Sequence, residues 1–339
     1  MKKKLLAVLL ALAMIFVLVA CGTATTTTEA PEEASEAASG DAGAYHVGVV
    51  QLVQHPALDA ATEGFQDKLT ELVEDAGGSV EFDVQNASGD SATCATIVNG
   101  FVSSNVDLIM ANATPALQAA QAGTADIPIL GTSVTDYATA LDIKDWDGTT
   151  GSNISGTSDL APLEDQALML KEVFPDAKKV GMLYCTAEPN SVYQVETIEP
   201  LFEGLGYECE RFSFTVSNDV ASVTTKAAAE CDVVYIPTDN TAASCTEAIA
   251  NVLIPAGIPA VCGEEGLAKG CGAVTLSIDY YELGEQTAEM AFEVLVNGAD
   301  PAEMEVEFAP AVTKKYNADN CKELGVEVPD DYEAIEMDD

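Results

Sequence analysis

The sequence predicts an α/β protein of two lobes, each a parallel sheet covered by helices, with a hinge between them. Three observations carry this. Short apolar runs alternate with amphipathic segments of helical period along most of the chain, the pattern of strands buried on both faces. The alternation breaks once, around Asp142 to Gly156, and then restarts in similar form. A long helical segment follows the second set, as in a pair of lobes that share chain crossings and enclose a cleft.

The first lobe opens with His46 to Leu52, a short apolar run. Pro56 then starts a helix with Leu58, Thr62, Phe65, Leu69, Leu72 and Val73 on one face, stopped by Gly77 and Gly78. Val80 to Val84, Leu108 to Ala111 and Ile127 to Leu130 read as strands, with helices over Ser91 to Val102 and Pro115 to Ala122 between them. The passage holds Trp146, Gly148, Thr149, Thr150 and Gly151, which fit neither period. Beyond it, strands are expected at Val180 to Tyr184, Glu208 to Thr215, Val233 to Ile236, Pro259 to Cys262 and Ala273 to Ile278. Helices are expected at Ser191 to Leu205, Val220 to Glu230 and Thr241 to Ala256, and Tyr280 to Val296 is the late amphipathic helix. This gives two Rossmann-like lobes, 45–152 with 279–305 and 153–278 with 306–339. The crossings are expected near Ser152 to Ser155, Ser277 to Tyr280 and Glu305 to Pro310.

The segment ahead of the lobes has a different character. Met1-Lys2-Lys3-Lys4 is a basic start, and Leu5 to Ala20 is an uncharged apolar run. A membrane span needs about 20 apolar residues, so 1–20 is expected to be an export signal. Leu18-Val19-Ala20-Cys21 resembles the bacterial lipobox, which implies a diacylated Cys21 as the mature N-terminus, held on the outer face of a cell membrane. Residues 21–44, rich in Thr, Ser, Glu and Ala, lack an apolar period and read as a disordered tether.

Composition removes whole classes of function. The 339 residues carry 14 Lys and Arg against 56 Asp and Glu, a formal net charge of −42. A nucleic-acid partner needs a basic face, so none is expected. There are two histidines, His46 and His55, both early in the folded part, which leaves little room for a His-dependent triad. No nucleophile elbow, zinc-protease helix or phosphate-binding loop motif is present, and no two of the nine Cys stand as a CxxC pair. The chain is read as a non-enzyme without cofactor or metal.

Ligands of open parallel sheets sit beyond the carboxyl ends of the strands. In the first lobe these ends are Gln51 to Gln54, Asn86 to Ser88, Asn112 to Thr114 and Gly131 to Ser133. They offer hydroxyls, amides and helix N-termini, which suit an anion. In the second they are Cys185 to Ser191, Pro237 to Thr241 and Gly263 to Glu265, with carboxylates at Glu188, Asp239 and Glu264, which suit a cation. The two together would hold a zwitterion. Helix N-caps use the same residue types, and both readings stay open at this point.

The strings Gln54-His55-Pro56-Ala57-Leu58-Asp59, Ala113-Thr114-Pro115-Ala116, Gly131-Thr132-Ser133-Val134-Thr135-Asp136, Gly151 to Asp159, Glu188-Pro189-Asn190-Ser191 and Pro237-Thr238-Asp239-Asn240-Thr241 resemble, in this order and spacing, the substrate-binding lipoproteins of ABC importers. The group is the one that includes tryptophan- and tyrosine-binding members, with the type I periplasmic-binding-protein fold. The resemblance runs from about Gly48 to Val328. It implies a monomer that takes a free amino acid between its lobes and delivers it to permease subunits and their ATPase. It implies Thr114, Ala116, Ser133 and Asn153 around the carboxylate, Glu188 and Asp239 on the ammonium, and Asn190 and Ser191 closing over it. Gln54 and Glu264, at strand ends, complete the expected site. Tyr137, Trp146, Tyr184, Tyr193 and Tyr235 are available for stacking. A nucleoside or small-sugar ligand, and a surface sensor or adhesin role, are the alternatives. The cysteines other than Cys21 are even in number, and Cys262 with Cys271 is the pair best placed for a disulfide.

Overall fold

The computed structural model describes residues 43–337. The expected signal segment 1–20, Cys21 and all but the last two residues of the expected tether lie outside the described residues.

The chain begins with β1 (Ala44–Gln51), α1 (Pro56–Asp75), β2 (Ser79–Asn86), α2 (Ser91–Ser104), β3 (Leu108–Asn112), α3 (Thr114–Gly123), β4 (Ile129–Val134), the single turn α4 (Tyr137–Ala140) and β5 (Ile154–Ser158). It continues through α5 (Leu163–Val173), β6 (Lys179–Cys185), α6 (Pro189–Gly204), β7 (Glu208–Phe214), α7 (Val220–Glu230), β8 (Val233–Ile236), the turn α8 (Asn240–Ala243), α9 (Thr246–Ala256), β9 (Ala260–Cys262), α10 (Glu265–Cys271), β10 (Val274–Ser277), α11 (Tyr280–Leu295), β11 (Glu307–Phe308), β12 (Thr313–Tyr316), α12 (Ala318–Leu324) and β13 (Glu333–Ala334).

These strands form two sheets. The first runs β11-β5-β4-β3-β1-β2 and is parallel throughout. The second runs β13-β12-β10-β9-β8-β6-β7, parallel except where β12 meets β10. Central strands read as continuous apolar runs because helices cover both faces: every residue of β3, β4 and β8 is buried.

α11 belongs to the first lobe although it follows the second. It lies along α1, where Gly64 and Gly284 let the backbones touch. A Cβ at Gly64 would collide with the Tyr281 carbonyl, and one at Gly284 with the Ala61 carbonyl. Leu69, Val73, Met290 and Ala291 close the core beside them.

The lobe boundaries differ from those expected. β5 pairs with β4, and β11 pairs with β5, so 153–158 and 307–308 belong to the first sheet rather than the second. The chain therefore crosses after β5, between β10 and α11, and after β11. β5 escaped the sequence reading because its sequence, Ile-Ser-Gly-Thr-Ser, lacks an apolar run. Its buried hydroxyls are paired instead: Ser155 Oγ donates to the Met304 carbonyl at 3.1 Å, and Thr157 Oγ1 lies 2.8 Å from Thr287 Oγ1 on α11. α5 and α10 are also unexpected from sequence: α10 is a short helix, whereas α5 carries Leu163, Ala167 and Leu170 on one face at helical spacing. The eight described cysteines are free thiols, so the expected Cys262–Cys271 disulfide is not formed. Both sulfurs lie in the apolar core of the second lobe.

Candidate functional site

Each sheet has one place where neighbouring strands leave in opposite directions along the sheet order. In the first it is between β1 and β3, in the second between β6 and β8. Crevices open at such switch points, outside the carboxyl ends. The segments there are Gln51 to Pro56 and Asn112 to Ala116 in one lobe, and Cys185 to Ser191 and Pro237 to Thr241 in the other.

The first wall is built of donors. α3 starts at Thr114 with Ala113 as N-cap, which has no side chain to accept its amides, and Pro115 carries no N–H. The first-turn amides of Thr114 and Ala116 thus form an uncapped helix N-terminus, a site for an anion. Thr114 Oγ1 and Ser133 Oγ beside it are buried without a hydrogen-bond partner. The backbone is strained at the same strand ends, with φ of 54° at Ser88, 89° at Ala113 and 54° at Ser133. Non-glycine residues hold such angles only where surrounding structure imposes them, most often at functional sites.

The second wall is built of acceptors that have already found donors. Asp239 accepts from the Ala242 amide at 2.8 Å, capping α8, and from the Cys185 amide at 2.6 Å. Glu188 accepts from the amides of Asn240 (3.0 Å) and Thr241 (2.8 Å), from Thr241 Oγ1 (2.6 Å) and from Asn240 Nδ2 (2.7 Å). Glu264 caps α10 through the amides of Gly266 (2.6 Å) and Leu267 (2.5 Å). All three carboxylates are buried. Burial, and then the Glu188 charge, hold Asp239 well above the usual carboxylate range, while burial pushes Glu264 up to about 7.

The expected residues divide accordingly. Thr114, Ala116 and Ser133 meet on the first wall; Glu188, Asn190, Ser191, Asp239 and Glu264 meet on the second. Ser191 is fully buried against Asp239. Asn190 Nδ2 donates to the Thr238 carbonyl at 2.9 Å while its Oδ1 has no partner. Asn153 is a correction. It precedes β5, so it sits at the amino end of that strand, bonded to the Ile127 carbonyl at 2.7 Å, on the side of the sheet away from the crevice. Gln54 is exposed, and the buried members of its loop are Gln51 and His55. The expected stacking residues are also misplaced. Tyr137, Tyr184 and Tyr235 are core residues, Trp146 is exposed, and Tyr193 lies half-buried in a different hollow.

Two residues of the cleft went unsingled in the sequence. Asp159, just past β5, accepts from Tyr280 Oη at 3.0 Å and from Thr135 Oγ1 at 3.1 Å. Burial pushes its carboxyl up to about 6, and its charge acts on Glu264 across the cleft. His55 Nε2 meets Asn240 Oδ1 at 3.1 Å, joining the two walls. Asp159 closes the Gly151 to Asp159 string, so its signal was present once β5 is placed. A pocket of about 200 Å³ opens between the walls beside these groups, lined by Leu52, Val53, Ser88 and Pro115 on one side and Cys185, Glu188, Asn240 and Thr241 on the other. Among the described residues no cluster of His, Cys, Asp and Glu is arranged to hold a metal ion.

A sequence model of the family described as ABC transporter substrate binding protein matches residues 46–335. The tyrosine-binding protein of Clostridioides difficile is 36% identical over 250 residues, 74% of this chain and 72% of that protein. Among solved structures, a Streptococcus domain in complex with L-Trp is 31% identical, covers 84% of this chain and 96% of its own, and superposes with a TM-score of 0.80. The ligand-free, open form of a Clostridium difficile substrate-binding protein with adhesive properties is 33% identical, covers 87% and 100%, and has a TM-score of 0.65. The present structure thus superposes better on the complex than on the open form, although its sequence is slightly more similar to the latter, which agrees with the contact of His55 on Asn240 across the cleft.

Proposed function

This chain belongs to the ABC transporter substrate-binding protein family, and we propose that it captures a free amino acid, aromatic by preference, for delivery to an importer's permease and ATPase. One observation carries the reading. An uncapped α3 with partnerless hydroxyls at Thr114 and Ser133 faces a wall of buried carboxylates. The first suits an α-carboxylate, and the negative field of the second suits an α-ammonium. Glu188 acts through that field, since its oxygens already take amides of α8, and Asp239, held toward its neutral form by burial and the Glu188 charge, joins it once a nearby ammonium favours its charged form. Asp159 and Glu264 add to it. The aromatic preference draws on the relatives' ligands.

A sugar or nucleoside is less well served, because neither carries an ammonium for the buried acids or a carboxylate for the uncapped start of α3. Mass spectrometry of the small molecule released when purified protein is denatured tests the assignment. An amino acid in equimolar amount supports it, and a sugar or nucleoside contradicts it.

In this reading the protein works as a monomer, anchored on the outer face of the membrane by acylated Cys21. Protein carrying Cys21→Ser should appear in the medium, and retention on the membrane after signal removal would contradict the anchor. The adhesive properties of one relative favour a second role at the cell surface. Loss of amino-acid uptake in a deletion strain separates transport from adhesion.

A further inference from the structure

His55 follows β1 on the first wall, and Asn240 opens α8 on the second. Their side chains meet at 3.1 Å, both buried. The orientation of this contact is set from the second wall inward. Glu188 Oε2 accepts only, so the Asn240 amide turns its Nδ2 toward it at 2.7 Å. That leaves Asn240 Oδ1 facing His55, and Oδ1 can only accept. His55 Nε2 must therefore carry the proton and donate. His55 Nδ1 is buried without a partner, which suits a neutral ring and its bare lone pair, not an imidazolium. The ring is held by its place at the start of α1, where the His55 carbonyl accepts the Asp59 amide at 3.0 Å.

We propose that His55 and Asn240 form an interlobe latch, a positioning pair that holds the cleft closed without contributing its affinity for one ligand over another. The latch rests on the reading of the cleft as a binding site only for its biological use; the closure it controls is a property of the protein with or without ligand. Opening exposes both side chains to water, so the bond is made in the closed form alone. Truncating His55 strands the Asn240 acceptor in the closed form and shifts the balance to open.

The latch also responds to acid. In the closed form burial lowers the His55 basicity, opposed by Asn240, Glu188 and Asp59, the groups that face it from α8, the start of α6 and α1. A closed form that resists protonation is disfavoured as pH falls through the ordinary histidine range of about 6.5.

Small-angle scattering and stopped-flow dissociation on the full folded chain test this, with His55→Ala, His55→Gln, Asn240→Ala and the double Ala variant. Gln restores an N–H donor, and circular dichroism confirms folding of each variant. His55→Ala is expected to enlarge the ligand-free radius of gyration and to speed dissociation of L-Tyr about ten-fold, with association unchanged. His55→Gln recovers most of both, and the double Ala variant is no worse than either single. Unchanged radius and dissociation in His55→Ala, or additive effects in the double variant, overturn the latch. A wild type whose ligand-free radius is smaller than that of His55→Ala but which binds no amino acid overturns the ligand assignment and leaves the latch standing on the scattering result.

Discussion

The two walls of the cleft occupy the same position on the same kind of sheet, yet α3 on the first and α8 and α10 on the second start in opposite ways, while α6 on the second starts without a side-chain cap as α3 does. On the first, α3 begins uncapped and two hydroxyls are left without partners. On the second, α8 and α10 begin on Asp239 and Glu264, and Glu188 takes the remaining amides of α8. A wall that leaves donors unpaired gives up stability to gain a binding surface. A wall that satisfies its donors with buried carboxylates gains order and keeps a negative field. Hydroxyls and carboxylates at equivalent strand ends thus do different work, and substitutions should separate the two.

Glu188→Ala is expected to give the largest effect, and on stability. It strands several buried donors at once, a loss of about 3–5 kcal/mol, read as a lower denaturant midpoint with or without ligand. A normal midpoint with lost affinity would make the second wall a contact surface like the first. Thr114→Val and Ser133→Ala should show the converse: affinity falling roughly ten-fold each by calorimetry, with melting unchanged or raised, because each removes a buried hydroxyl without a partner.

Acid should weaken binding. Burial in the closed cleft pushes Asp159 up to about 6 and Glu264 up to about 7, and an ammonium beside them lowers both. The complex then holds fewer protons than the free protein, so affinity rises with pH between about 5 and 8, and binding near pH 6.5 releases protons. Calorimetry in buffers of different ionisation enthalpy measures that release, and proton uptake would contradict the sign. The smallest effect is expected from Tyr137→Phe. Its Oη donates to the Thr157 carbonyl inside the first lobe, so melting should drop slightly and affinity should not move.

Much of this was legible in the sequence. The alternation placed the central strands and the switch-point loops, because strands buried on both faces must be apolar throughout. The contrast between walls was visible as carboxylates at Glu188, Asp239 and Glu264 against hydroxyls at Thr114 and Ser133. Whether those acids cap helices or reach for a ligand was not, since Asp, Asn and Ser do both. The geometry shows caps, each at hydrogen-bond distance from first-turn amides. Asn153 and β5 were misread for one reason. A strand of paired hydroxyls carries no apolar period, and missing it moved the lobe boundary and turned an amino-end residue into a site residue. The tyrosines misled because a buried aromatic looks alike in core and cleft: Tyr235 donates to Gln166 within the second lobe at 2.7 Å, which no spacing foretells.

The division of labour between the walls is tested most directly by one titration series. Wild-type protein is titrated calorimetrically with the preferred amino acid, with the amine that lacks its carboxylate and with the acid that lacks its ammonium. Each truncation removes one end of the zwitterion from a desolvated site, so both analogues should bind at least roughly 30-fold more weakly. If either analogue binds within about three-fold of the amino acid, the wall it was meant to engage does not recognise that charge, and the account of the cleft fails.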